Sequence, residues 1–267
     1  TDGGTYVIDR WAGNWGNDRY APSYNFWIAQ SRYSVASGET VSTTPWGWNY
    51  EAGPDAIAEM TRLNWDILNH VYNTDVINAA DAPQSWADLV DPKYADQLVM
   101  PDPAVSGAAA FNASVWKNDP ALGEEWINAL GENNPMIAQS NGPTSQEIAA
   151  GGHPVGVVVD YLVRDLAAAG SPIAAVYPTE GAPYITEPAG VFASSGKQEA
   201  AERYISFLLS AEGQKIAVEQ AYLPVREDVG TPEGTPPLNE IALMTPDLQV
   251  VTDDKEAAVA LFQTAMQ

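Results

Sequence analysis

The apolar positions change their spacing several times along the chain, and each change predicts an element. Residues 97–100 are a short apolar run ending in Pro101-Asp102-Pro103. Ser106-Gly107 then opens an Ala-rich helix to about Lys117, and Leu122, Trp126 and Leu130 recur at i, i+4 and i+8 over 120–130. Residues 154–159 are almost wholly apolar and β-branched, the pattern of a strand covered on both faces. A helix over 162–169 stops at Gly170, and strands follow at 173–177 and 190–192, with a loop at 181–188 between them. Ala201, Tyr204, Ile205 and Leu208 make the stripe of a helix over 197–210, and 211–220 continues helically. Thr252-Asp253 cap a last helix with Ala258, Leu261, Phe262 and Ala265 on one face.

Periodicity is weaker before residue 97. Residues 5–9 and 39–43 read as strands. Gly53-Pro54 reads as a helix start, with Ile57, Met60 and Leu63 on one side. Residues 71–77 are extended, and 82–89 form a turn with a short helix. Ser145 reads as the N-cap of a helix over 146–150 that Gly151-Gly152 ends. Strands alternating with helices from 97 to 220 predict an open α/β sheet. Ligands gather at the carboxyl ends of strands in such sheets. Pro103–Gly107 and Asp160-Tyr161 stand there.

Composition narrows the classes of function. The chain has 267 residues and carries 35 acidic against 12 basic residues, a formal charge of −23. Its charged fraction of 18% is below the usual ~25%, so missing Lys and Arg create the imbalance. Nucleic acid and anionic membranes are poor partners for such a surface. The 45% hydrophobic content supports packed cores, and no apolar run approaches the ~20 residues of a membrane span. The absence of cysteine excludes disulfides and thiolate chemistry.

Four segments could carry binding chemistry. Ser106 and Gly107 leave backbone N–H groups free at a positive helix end, which is an anion site as well as an ordinary cap. Asp160 and Tyr161, just beyond a buried strand, could take an amine, a hydroxyl or a metal, or simply cap and pack. Trp48 and Asn49, within Trp46–Tyr50, could wall a pocket with aromatic faces or belong to a core. Tyr184 and Glu187 lie in a Pro/Gly loop able to cover a ligand. A catalytic site is hard to assemble. His70 and His153 are the only histidines, and neither sits in a triad pattern. No nucleophile elbow, phosphate loop, dinucleotide fingerprint or zinc-protease motif is present.

Several segments, in order, resemble the bacterial extracellular solute-binding proteins of the ferric iron, thiamine and phosphonate group. They are Tyr72-Asn73-Thr74-Asp75, Ser85-Trp86-Ala87-Asp88-Leu89 with Asp91-Pro92-Lys93-Tyr94, and Met100–Gly107. Phe207–Gln214 and Ala221-Tyr222-Leu223-Pro224-Val225-Arg226 complete the set. The resemblance implies a two-lobed α/β periplasmic-binding-protein fold of type II-like form, with a reduced or divergent first lobe. It places 1–78 and about 222–267 in the first lobe and 79–221 in the second. It implies a monomer outside the cytoplasm that closes around a small molecule and delivers it to an ABC permease, with no cofactor. Iron-binding members carry a Tyr-Tyr pair where this chain has Asp160-Tyr161, so only Tyr161 carries over.

The expectation from these readings is a receptor for a small organic anion, best an aminoalkylphosphonate. Ser106 and Gly107 would hold the anion, Asp160 an ammonium or hydroxyl, and Tyr161 would hydrogen-bond or cover it. Ferric ion is the alternative within the class. An α/β hydrolase-like enzyme, or an adhesion protein using the Trp-rich N-terminus, would be the alternatives outside it.

Overall fold

The computed structural model describes residues 5–12, 27–34, 39–40, 57–192 and 196–267. Trp48 and Asn49 lie outside the described residues. The chain divides into two compact units, Thr1–Trp65 with Thr186–Glu233, and Asp66–Ile185 with Gly234–Gln267.

In the first unit, β1 (Thr5–Ala12) pairs antiparallel with β2 (Trp27–Ser34), which pairs with β3 (Glu39–Thr40). Helices α5 (Gln198–Leu208) and α6 (Ala211–Glu219) pack together, and α6 packs on β10 (Leu223–Pro224). The Gly213-Gln214 pair explains the tight join. A Cβ at Gly213 would lie 2.2 Å from the Phe207 carbonyl oxygen, so only glycine fits. Gln214 is buried, donates to the Leu208 carbonyl at 2.9 Å and accepts from the Val225 N–H at 2.7 Å.

The second unit holds a sheet whose centre is parallel. β5 (Leu98–Pro101) lies between β6 (Met136–Ala138) and β7 (Val155–Val159), and both pairings are parallel. Each of the three strands leads into a helix: α1 (Gly107–Asn118), α3 (Asn141–Ala150) and α4 (Asp160–Ala168). β7 is buried at every position, as its unbroken Val run requires. A Cβ at Gly156 would meet the Val99 carbonyl oxygen at 2.3 Å and Ile148 at 2.8 Å, so this glycine lets α3 lie close to the sheet. β4 (Ile57–Asn73) pairs antiparallel with β7 and with β8 (Ile173–Val176). β9 (Tyr184–Phe192) also pairs with β4. Helices α2 (Gly123–Glu132), α7 (Leu248–Asp253) and α8 (Lys255–Ala265) pack with α1.

Trp86 centres the core of this unit. It is fully buried, stacks edge-on against His70 at 4.4 Å and Trp116 at 5.0 Å, and donates to the Gly181 carbonyl at 2.8 Å. Its own carbonyl accepts from the Trp126 ring N–H at 3.0 Å. The short 3-10 turn Trp86–Val90 is started by a capping box, Ser85 with Asp88. Asp91 caps the next turn, Pro92–Tyr94. The Ser-Trp-x-Asp-Leu and Asp-Pro-Lys-Tyr stretches are thus turn chemistry that plants one tryptophan in the core.

Several expectations are corrected. The helix from Gly53 is, from Ile57 onward, the strand β4; its i, i+3 apolar spacing gives way to one long strand that pairs with β9 and, from Asn64 onward, with β10, β7 and β8. α3 begins at Asn141 rather than after Ser145, because Pro143 is tolerated in a first turn; Ser145 is buried inside the helix and donates to the Gly142 carbonyl. The loop expected at 181–188 is strand from Tyr184. The last helix starts after Asp254, whose side chain makes no cap bond, and Asp247 caps α7 before it. The division into two units falls inside β4, since Leu68–Asn73 pair with β7 and β8. Residues 234–267 join the second unit because α8 packs on α1 and α2. At Gly131 of α2 a Cβ would lie 2.0 Å from the Ala265 carbonyl oxygen.

Candidate functional site

The carboxyl ends of β5, β6 and β7 put three helix N-termini at one edge of the second unit. Asn141 ties them together. Its side-chain N–H donates to the Ser106 hydroxyl at the start of α1, 3.1 Å away. Its side-chain oxygen accepts from the Val159 N–H at the end of β7, 3.2 Å away, one residue before α4. Behind them, the Asp102 N–H donates to the Ala138 carbonyl at 2.8 Å, fixing the β5 loop to the end of β6.

These ends are rich in donors. Ser106 caps α1 by accepting from the Ala109 N–H at 3.3 Å, and Gly107 adds no side chain over the first turn. Ser140 makes no cap bond to α3, and Val159 has no side chain able to cap α4. The first-turn N–H groups of α1 and α3 and the aligned dipoles therefore favour a negative group here. Ser106, Gly107 and Tyr161 are half-buried.

Asp160 stands differently from its expected role. Its side chain is 0% exposed. One oxygen accepts from the Ile67 N–H at 3.1 Å, and the other forms an ion pair with Arg164 at 2.5 Å, one helical turn on. The Tyr161 N–H also bonds to it. Burial pushes the carboxyl up while Arg164 and the N–H donors pull it back. This carboxylate is committed inside the fold rather than offered to a ligand ammonium. Tyr177, after β8, completes the cluster by hydrogen-bonding Arg164 and Thr235. Burial, and then the Asp160 charge, push its hydroxyl up to about 12. The Leu68 N–H donates to the Pro183 carbonyl at 2.9 Å beside this cluster. Asp160, Arg164 and Tyr177 thereby hold the stretches where the chain enters the second unit, near Ile67 and Thr235.

Tyr184 lies at the start of β9 and is half-buried; Glu187 lies in the same strand. Asn141, Arg164 and Tyr177 were not anticipated. The run of Ser140-Asn141-Gly142-Pro143 after a short apolar stretch was the available signal for the first, and the Asp160/Arg164 spacing for the second. Among the described residues no group of three His, Asp or Glu side chains could hold a metal ion. No helix among them is long and apolar enough to cross a membrane.

Donor-rich helix ends on a parallel sheet agree with the comparison to known sequences, in which residues 54–247 match the bacterial extracellular solute-binding proteins. The chain belongs to that family. Its members bind solutes for transport outside the cytoplasm and are not enzymes. An uncharacterized protein of Haemophilus influenzae is 26% identical over 163 residues, 58% of this chain and 46% of that protein. The sulfate-binding protein of Escherichia coli is 27% identical over 198 residues, 64% of this chain and 59% of that one. The chain thus spans about half the length of the curated relatives it matches.

Solved structures agree on the fold. Iron-bound HitA from Pseudomonas aeruginosa has a TM-score of 0.67 at 20% identity, over 80% of this chain and 72% of that one. The periplasmic binding protein AfuA from Actinobacillus pleuropneumoniae, with fructose-6-phosphate bound, has a TM-score of 0.65 at 21% identity, over 78% and 68%. The fold class is therefore that of the two-lobed periplasmic binding proteins.

Proposed function

We propose that this chain is the solute-receiving component of an ABC importer and takes a small solute through an oxyanion, such as a phosphate, phosphonate or sulfate group. The observation that carries the reading is Asn141 joining the N-termini of α1, α3 and α4 through Ser106 and Val159. Helix ends supply N–H donors and positive dipole ends to one spot, while the two carboxylates beside them are engaged, Asp160 with Arg164 and Asp102 with the Ala104 N–H. The solute therefore needs no ammonium, and the aminoalkylphosphonate becomes one candidate among several oxyanions. Support comes from the sulfate-binding relative and from the sugar phosphate bound to AfuA. Tyr161 and Tyr184 would flank the anion. A membrane permease is the partner that would take delivery.

The test is thermal melting with sulfate, phosphate, fructose 6-phosphate, 2-aminoethylphosphonate and ferric citrate, on the parent chain and on Asn141→Ala. A solute at about 100 times its dissociation constant adds about 2.7 kcal/mol to stability. The expected result is a rise with at least one oxyanion and a binding constant weakened about tenfold or more in the variant, the loss of one charge-assisted contact. A rise with ferric ion alone, with a visible tyrosinate colour, would overturn the oxyanion and favour Tyr161 as an iron ligand.

A further inference from the structure

The end of α1 far from Ser106 borders a groove of about 460 Å3, formed entirely by the second unit. Its apolar lining comes from Val115, Pro120, Leu243, Met244, Pro246 and Val250, with the buried Val115 and Met244 as its floor. Val250 is 45% exposed. Its rim carries three carboxylates, Asp119, Glu180 and Asp247, and no Lys, Arg or His lines it.

The rim charges are held in place without being neutralised. Asp119 accepts from the Ala121 N–H at 2.8 Å, and Asp247 accepts from the Gln249 N–H at 2.9 Å. Glu180 accepts from the Thr179 hydroxyl at 3.0 Å. Lys117, the base on this end of α1, is engaged elsewhere, with Asp254 at 2.8 Å and Glu124 at 3.2 Å. The C-terminal carbonyls of α1 add further negative potential.

The groove also has a backbone edge. Residues 242–244 run parallel to Ala182: the Ala182 N–H donates to the Ala242 carbonyl at 2.9 Å, and the Met244 N–H donates to the Ala182 carbonyl at 3.0 Å. In that arrangement the N–H and C=O of Leu243, a groove residue, lie on the edge away from Ala182. An extended chain can add to such an edge.

We propose that this groove docks an extended, basic segment of a partner protein, with one aliphatic side chain on the apolar floor and Lys or Arg on each side of it facing the rim. Charge complementarity selects this occupant. A second copy of this chain brings its own −23, and anionic lipid or nucleic acid meets like charge on the rim. A small cation would satisfy the carboxylates and leave the floor bare. The groove and the solute site sit at opposite ends of α1 on different loops, so either assignment can fail alone.

The test uses the full chain, isotope-labelled, and three probes. They are a blocked hexapeptide Ser-Arg-Leu-Lys-Arg-Ser, the same peptide with Glu at each base, and spermidine. The basic peptide should move the amide resonances of 118–121 and 243–250. Its affinity should fall about tenfold or more in a Glu180→Lys, Val250→Asp double variant, the size of effect expected of central contact residues. It should also fall as salt rises from 0.05 to 0.5 M. Both changed residues are exposed, so melting of the variant should match the parent and show that it folds. Equal binding of the acidic peptide, resonance shifts confined to other regions, or no shift at millimolar peptide would overturn the proposal. Spermidine producing the same shifts at the same concentration would overturn the peptide and leave a small-cation site.

Discussion

At its first residue α1 meets two other helix N-termini, with Ser106 and Asn141 bridging them; at its last it meets Lys117, Asp119 and Asp254. Both ends obey the same helix dipole. They differ in burial. Near the first end the charges are inside the fold: Asp160 is 0% exposed and Arg164 12%. At the last end the carboxylates are open to water and a single lysine serves two of them. A buried pair is an all-or-none element, whereas an exposed one is adjustable, so the two ends should respond to mutation on different scales.

The largest effect should come from Arg164→Met. It leaves Asp160 buried with N–H donors but no countercharge. Removing one partner of a buried pair costs about 3–5 kcal/mol, more than replacing both. Urea unfolding should show that loss, and adding Asp160→Asn should return most of it. A loss below about 1 kcal/mol would mean that water reaches the carboxylate, and the contrast between the two ends would disappear.

The second effect lies between the ends, where α1 covers the core through Trp116. His70 is fully buried, its Nδ1 is 3.3 Å from the Pro83 carbonyl, and its Nε2 has no partner among the described residues. Burial lowers its pKa to about 4. The unfolded chain takes the proton near 6.5 and the folded chain only near 4, so stability falls as pH drops through that window and levels off below it. The fall should be about 3 kcal/mol, at about 1.4 kcal/mol per pH unit. His70→Leu should flatten it. Comparing urea midpoints at pH 7 and pH 4.5 in the two proteins checks this, and an unchanged slope in the variant would assign the acid limb to carboxylates instead.

How much of this was legible follows the same division between scaffold and site. β5, β7, α1 and the strand-helix alternation could be read because their patterns are local: a Val run, an Ala-rich stripe, a Ser cap. The resemblance was legible because turn chemistry is local too, as the capping box at Ser85 and Asp88 and the Gly213-Gln214 join show. β4 was misread because its apolar spacing fits a helix, and only pairing with distant strands, β9 among them, makes it a strand. Asn141 and the commitment of Asp160 could not be read. Both depend on partners far along the chain: Ser106 lies 35 residues from Asn141, and Ile67 lies 93 from Asp160. An aspartate at a strand end looks the same in sequence whether it faces a ligand or a buried arginine.

The smallest effect should come from Lys117→Met, and it is the sharper test of the comparison. Lys117 is 16% exposed and its partners Asp254 and Glu124 are 25% and 62% exposed, so water can take over much of what the ammonium does. The hydrogen bond to Asp254 raises the lysine pKa, which marks a real but partly solvated interaction. Such pairs contribute about 0–1 kcal/mol, and salt screens them. The Asn118 side-chain N–H also bonds to Asp254, at 2.9 Å, and remains to hold it in the variant. The expected loss is therefore under about 1 kcal/mol in low salt and close to nothing in 0.5 M salt, read from urea midpoints. The variant should also bind the basic hexapeptide slightly more tightly, because a positive charge next to the groove is removed. If Lys117→Met instead cost as much as Arg164→Met and ignored salt, burial would not be what separates the two ends of α1, and the groove would be a structural seam rather than an open surface.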